Sequence, residues 1–202
     1  MNREIIAILR GVQPDEVVYI AGVLIKNGIT KLEVPLNSPE AHKSIEHLVN
    51  TFGEMATIGA GTVLTPQEVA RVADAGGRMI VSPDCNEAVI RAAKSMGLYS
   101  YPGVFTPTEC FSALRFGADG LKLFPSFMMG PQGLAAIRAV LPVSAKLYAV
   151  GGVGPENFTT WRNSGATGFG IGTGLYRPGD TATDVAEKTK TVVMAYDAVF
   201  AP

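Results

Sequence analysis

Apolar and often β-branched residues gather in eight short runs along the chain: IIAILR (5–10), KLEVPL (31–36), TIGAGTV (57–63), MIVSP (79–83), LYSYPGV (98–104), GLKLFP (120–125), KLYAVGG (146–152) and GFGIGTG (168–174). Between them, segments such as PDEVVYIAGVLIKNG, PQEVARVADAGG and NEAVIRAAKSMG repeat their apolar residues at three- and four-residue steps. That spacing predicts helices packed by one face on a sheet. Thr65-Pro66-Gln67-Glu68 and Thr106-Pro107-Thr108-Glu109 each offer a threonine N-cap, proline in the first helical position and a glutamate three residues on. Ser38-Pro39-Glu40, Gln13-Pro14-Asp15-Glu16 and Gly154-Pro155-Glu156 are looser helix starts, and Gly28, Gly76-Gly77, Gly97, Gly117 and Gly165 read as C-caps. A helix over roughly 181–200 closes the chain; it and Trp161 read as structural, and Phe127-Met128-Met129 as a packed turn.

Strand, loop, helix and glycine thus recur about eight times, at intervals of roughly 20 to 26 residues, with no linker or low-complexity tract between units. Alternating βα units imply a parallel sheet. Eight in succession predict one (β/α)₈ TIM barrel over residues 1–202. An open doubly wound sheet is the competing arrangement. Its dinucleotide-binding form fits poorly: Gly170-Ile171-Gly172-Thr173-Gly174-Leu175 lacks the third glycine of G-x-G-x-x-G, and little chain remains beyond it to supply a ribose-binding acid.

Composition narrows the function. With 17 Lys+Arg against 18 Asp+Glu, the net charge of −1 gives no footprint for a nucleic-acid partner. Mean hydropathy is +0.22, yet no run approaches the roughly 18 apolar residues of a membrane span. The start, MNREIIAILRG, does not read as a signal peptide. Cys85 and Cys110 are far apart and outside any C-x-x-C, so reduced thiols in the cytoplasm are expected. His42 and His47, the only histidines, stand five residues apart, roughly 140° around a helix, and do not readily share a metal. No metal or cofactor is expected.

The C-terminal ends of the strands, where TIM barrels keep their reactive groups, read Arg10, Glu33, Thr62, Pro83, Lys122, Gly151-Gly152 and the Gly170–Gly174 loop. Lys122 stands out. Leu121, Leu123 and Phe124 mark a buried strand, where an ammonium is costly to desolvate. Alternation along the strands turns Lys122 and Glu33 into the barrel, with Arg10 near its mouth. A structural Lys–Glu–Arg cluster is the plain explanation; chemistry is the other. A desolvated lysine beside another cation presents a free amine for Schiff-base formation with a ketone. A neighbouring carboxylate can carry protons, and an arginine suits a substrate carboxylate. The glycines after strands 7 and 8 (Gly151, Gly152, Gly172, Gly174) expose backbone N–H groups of the kind that hold phosphate. A phosphosugar isomerase or epimerase would share those loops, with Glu33 as base and Lys122 as a clamp. A non-catalytic sugar-phosphate sensor is a third class.

The pieces Ile8-Leu9-Arg10-Gly11, Glu33-Val34-Pro35-Leu36-Asn37-Ser38-Pro39, Gly59-Ala60-Gly61-Thr62-Val63, Val81-Ser82-Pro83, Leu121-Lys122-Leu123-Phe124-Pro125 and Ala149-Val150-Gly151-Gly152-Val153, in that order, resemble the class I 2-keto-3-deoxy-6-phospho-sugar-acid aldolases over nearly the whole chain. Asn37, Val150 and the Gly130-Pro131-Gln132 run look like the phosphogalactonate branch of that family. The resemblance implies a homotrimer without cofactor, acting in galactonate catabolism. Its implied reaction is cleavage of the C6-phosphorylated keto acid to pyruvate and D-glyceraldehyde 3-phosphate. It implies Lys122 as the Schiff-base lysine and Glu33 as general acid/base, with Arg10 and Thr62 at the pyruvate-forming end. Pro83 and Phe124 would line the pocket, and Gly151, Gly152, Gly172 and Thr173 would hold the phosphate. The family often has serine where Thr173 stands. Asn37, Val150 and Thr173 are the candidates for reading the C4 configuration.

Overall fold

The computed structural model describes residues 3–200. Its elements run β1 (Ile5–Ile8), α1 (Val17–Lys26), β2 (Lys31–Pro35), α2 (Ala41–Phe52), β3 (Thr57–Gly61), α3 (Pro66–Asp74), β4 (Met79–Val81), α4 (Glu87–Ser95), β5 (Tyr99–Tyr101), β6 (Gly103–Val104), α5 (Pro107–Phe116), β7 (Leu121–Leu123), α6 (Ser126–Arg138), β8 (Leu147–Val150), α7 (Phe158–Asn163), β9 (Gly168–Ile171) and α8 (Ala182–Phe200). All strand pairings are parallel, in the order β5-β4-β3-β2-β1-β9-β8-β7-β6.

The two ends of that order, β5 and β6, are consecutive in the chain and meet at Pro102. Proline has no N–H to give the ladder, so the predicted strand over 98–104 is split in two. Backbone bonds from both halves still close the circle. Asp119 N and Lys122 N donate to the carbonyls of Ser100 (3.0 Å) and Pro102 (2.9 Å), while Ser82 N and Gly103 N bond Tyr101 O and Asp84 O across the other side. The result is a (β/α)₈-type barrel whose fifth strand is broken.

The main core lies between the strands and the helix ring, with Leu32, Val34, Leu121, Leu123, Phe158, Trp161 and Phe169 fully or nearly buried. A second, smaller cluster fills the barrel itself: Ile6, Met79, Val81, Tyr101, Tyr148 and Val150. Side chains that alternate along each strand supply the two, as the pleat requires.

Both capping boxes form: the Thr65 and Thr106 hydroxyls accept from Glu68 N and Glu109 N, and each glutamate returns to its threonine's N–H. The looser starts are used differently. Ser38 Oγ accepts from Gly11 N at 2.9 Å instead of capping α2, and α7 begins after Asn157, whose Oδ1 takes Gly154 N. The supposed turn at Phe127-Met128-Met129 is the first stretch of α6, which breaks at Gly130 before Pro131. Phe127 and Met128 are 66% and 67% exposed, so they do not pack as a turn would.

Candidate active site

Lys122 and Glu33 both point into the barrel, only 7% and 1% exposed. Neighbouring strands fix them there, Lys122 standing opposite Gly103 and Tyr148, and Glu33 opposite Ile8 and Gly59. Glycine beside the carboxylate is obligatory: a Cβ at Gly61 would lie 2.0 Å from Glu33 Oε2. Both side chains line a void of about 10 Å³ shared with Tyr101, Tyr148 and Val150. That is close to the space one water needs. Among the described residues Glu33 Oε2 is buried without a hydrogen-bond partner. An unpaired oxygen facing a water-sized void is set up to meet a solvent or substrate group.

Burial shapes the titration of both groups. Desolvation pushes the Glu33 carboxyl up to about 7, against the opposing pull of Lys122 and Arg10. Desolvation likewise lowers the Lys122 ammonium; Glu33 resists this, and the Arg10 guanidinium adds to it. The amine also lies over the Phe124 ring, 4.7 Å from its centroid.

Arg10 leads out of the barrel. Its Nη1 donates to Asn37 Oδ1 at 2.5 Å and its Nη2 to Thr62 Oγ1 at 3.5 Å. Thr62 holds φ = 57°, in the left-handed region, a conformation β-branched residues rarely adopt. Arg10 also lines a larger cavity of about 370 Å³ with Phe124, Val150, Gly151, Gly152, Gly172, Thr173, Gly174 and Tyr176. Ile8, Val150 and Gly170 border both spaces, so the cavity at the mouth and the void around Lys122 share a wall.

Most of the residues singled out in the sequence therefore converge. Lys122 and Glu33 meet at the inner void; Arg10, Phe124, Val150, Gly151, Gly152, Gly172 and Thr173 line the outer cavity. Asn37 and Thr62 line neither space and instead brace Arg10. Pro83, half-buried at the end of β4, also lines neither; its carbonyl packs where a Cβ on Gly103 would sit. Two neighbours escaped the sequence reading. Ser126, fully buried, donates to Leu123 O (2.8 Å) and accepts from Val150 N (2.7 Å), tying the ends of β7 and β8 together. Tyr176 walls the outer cavity with its hydroxyl on Glu16 (2.7 Å). Among the described residues no group of three or more His, Cys, Asp or Glu is placed to hold a metal.

A family model for KDPG and KHG aldolases matches residues 1–190. The chain belongs to the KDPG and KHG aldolase family. Aldolases of this family are lyases. The chain is 49% identical over 200 residues to a probable 2-dehydro-3-deoxy-6-phosphogalactonate aldolase of Rhizobium meliloti (strain 1021), covering 99% of this chain and 94% of that one. It is 45% identical over 192 residues to the 2-dehydro-3-deoxy-6-phosphogalactonate aldolase of Escherichia coli (strain K12), covering 95% and 94%. The fold agrees: a solved native KDPGal structure superposes with a TM-score of 0.97 at 43% identity, over 98% of this chain and 97% of the other. No helix among the described residues is long and apolar enough to cross a membrane.

Proposed function

We propose that this chain is a class I aldolase that reversibly cleaves 2-dehydro-3-deoxy-6-phosphogalactonate to pyruvate and D-glyceraldehyde 3-phosphate. The observation that carries the proposal is the buried Lys122 amine, held beside the unpaired Glu33 carboxyl at the foot of a glycine-rich cavity. The names of the two relatives above supply the substrate.

Lys122 Nζ attacks the C2 ketone to give a carbinolamine. Glu33, acting through a water in the void, protonates the departing hydroxyl, leaving an iminium. Glu33, now a carboxylate, takes the C4 hydroxyl proton through the same water as the C3–C4 bond breaks, and the bonding pair moves into the iminium. Glyceraldehyde 3-phosphate departs, Glu33 returns that proton to the enamine at C3, and water adds to the resulting iminium to release pyruvate and the free amine. Arg10, fixed by Asn37 and Thr62, holds the carboxylate at the pyruvate end. Backbone N–H groups of Gly151, Gly152 and Gly172, with the Thr173 hydroxyl, receive the phosphate. Phe124 covers the amine, and Pro83 packs its carbonyl against Gly103 on the adjoining strand. The enzyme works in the cytoplasm, where Cys85 and Cys110 remain free thiols, within galactonate catabolism and as a homotrimer.

Steady-state rates on the two C4 epimers of the 6-phosphorylated keto acid, followed by pyruvate release, test this reading. The galacto epimer should be cleaved with the higher kcat/KM, by an enzyme of three times the 21.3 kDa chain mass. Equal rates would mean dual specificity; a preference for the gluco epimer would overturn the assignment of substrate. Interconversion of sugar phosphates without pyruvate would point instead to an isomerase.

A further inference from the structure

Beneath Lys122 the barrel is closed by two tyrosines that the mechanism above does not use. Tyr148 stands beside Lys122 in the β7–β8 register. It meets Tyr101 edge to face, with ring centroids 5.3 Å apart. Both are buried, and both line the void that Lys122 and Glu33 share. Room for the rings is left by Gly120, where a Cβ would come within 2.8 Å of Tyr148 and 3.0 Å of Tyr101.

On its far side Tyr148 reaches the opposite end of the barrel. Its hydroxyl donates to Glu4 Oε2 at 2.5 Å. The same carboxylate pairs with Lys31 and, at 3.4 Å, with Lys146, which is about half exposed. Glu4 therefore marks where solvent begins at the N-terminal face. Tyr148 runs from the void to that boundary, with Tyr101 and Ile6 packed beside it.

We infer that the ring of Tyr148 makes it a positioning residue, sealing the barrel floor so that bulk water at the N-terminal face does not reach Lys122 Nζ. It acts on the amine by excluding solvent and touches no substrate. The inference rests on the reading of Lys122 as the working amine only for its catalytic consequence. The charged and titratable groups facing the amine are Glu33 from β2, Arg10 beyond the end of β1, Tyr101 from β5 and Tyr148 itself. With the floor opened, water stabilises the ammonium form, so a more alkaline solution is needed to free the amine.

The test needs no substrate. Full-length protein is treated with acetic anhydride across a pH series, and acetylation of Lys122 is read by peptide mass spectrometry. Tyr148→Phe keeps the ring and should keep the wild-type midpoint. Tyr148→Ala should move the midpoint up by about one pH unit or more, and Tyr148→Leu serves the same purpose if the alanine variant does not fold. An unchanged midpoint in a folded, truncated variant would overturn the inference; so would an equal shift in Tyr148→Phe, or an ordinary lysine midpoint in the wild type. Trapping by pyruvate is judged separately. An amine with a low midpoint that pyruvate never captures would remove the catalytic reading and leave the sealed floor standing.

Discussion

Glu33 and Lys122 are each poor choices for stability, and pH reveals the cost. Folded Glu33 keeps its proton up to about 7, while the unfolded chain loses it near 4.5. Between those values the folded chain binds more protons, so its stability falls as pH rises. Lys122 runs the other way. Its lowered value means fewer bound protons in the folded form on approaching 10.5, so stability climbs with pH in that range. Glu33→Gln removes the first effect. Denaturant titrations should show the variant gaining on wild type as pH rises from about 4.5 to about 7, then holding level. A gap independent of pH would contradict a buried, proton-holding carboxyl. The same variant should lose roughly 10²–10⁴-fold in turnover, the usual size of a general acid/base contribution. Full retained rate would move the proton carrier to another group.

At the level of elements, local signals were legible where a residue acts on its own neighbourhood. Thr65 and Thr106 announced α3 and α5 because a capping box is complete within four residues. Thr65→Ala should therefore lower unfolding free energy by about 1 kcal/mol, measured by denaturant titration, with kcat unchanged; no loss of stability would contradict the cap. Alternation likewise exposed Lys122 and Glu33, since a charge between two aliphatic residues declares its face. What stayed hidden depends on partners distant in sequence. Ser126 looks like any polar residue after a proline until Val150 N arrives from β8. Asn37 and Thr62 stood out in the sequence, but their bonds to Arg10 show only when the barrel brings it between them. Pro102 was visible, but its effect was not: the split of strand 5 depends on the ladder bond its missing N–H cannot make. The start of α6 misled because a methionine-rich run before Gly-Pro reads locally as a turn.

Across the whole molecule, barrel closure is what turns these separate signals into a site. Eight strand directions converge so that an amine from β7 and a carboxyl from β2 face one small void, while a guanidinium beyond β1 faces the glycine-rich cavity at the mouth, which shares a wall with it. The same arrangement superposes almost completely on a related solved structure. The central claim is that Lys122 presents a neutral amine to a keto acid. Borohydride reduction in the presence of pyruvate, followed by peptide mass spectrometry, tests it most directly. The expected product is a single lysine adduct at position 122, absent when pyruvate is omitted and lost in Lys122→Ala. An unmodified Lys122 after that treatment, or an adduct on a different lysine, would contradict the account.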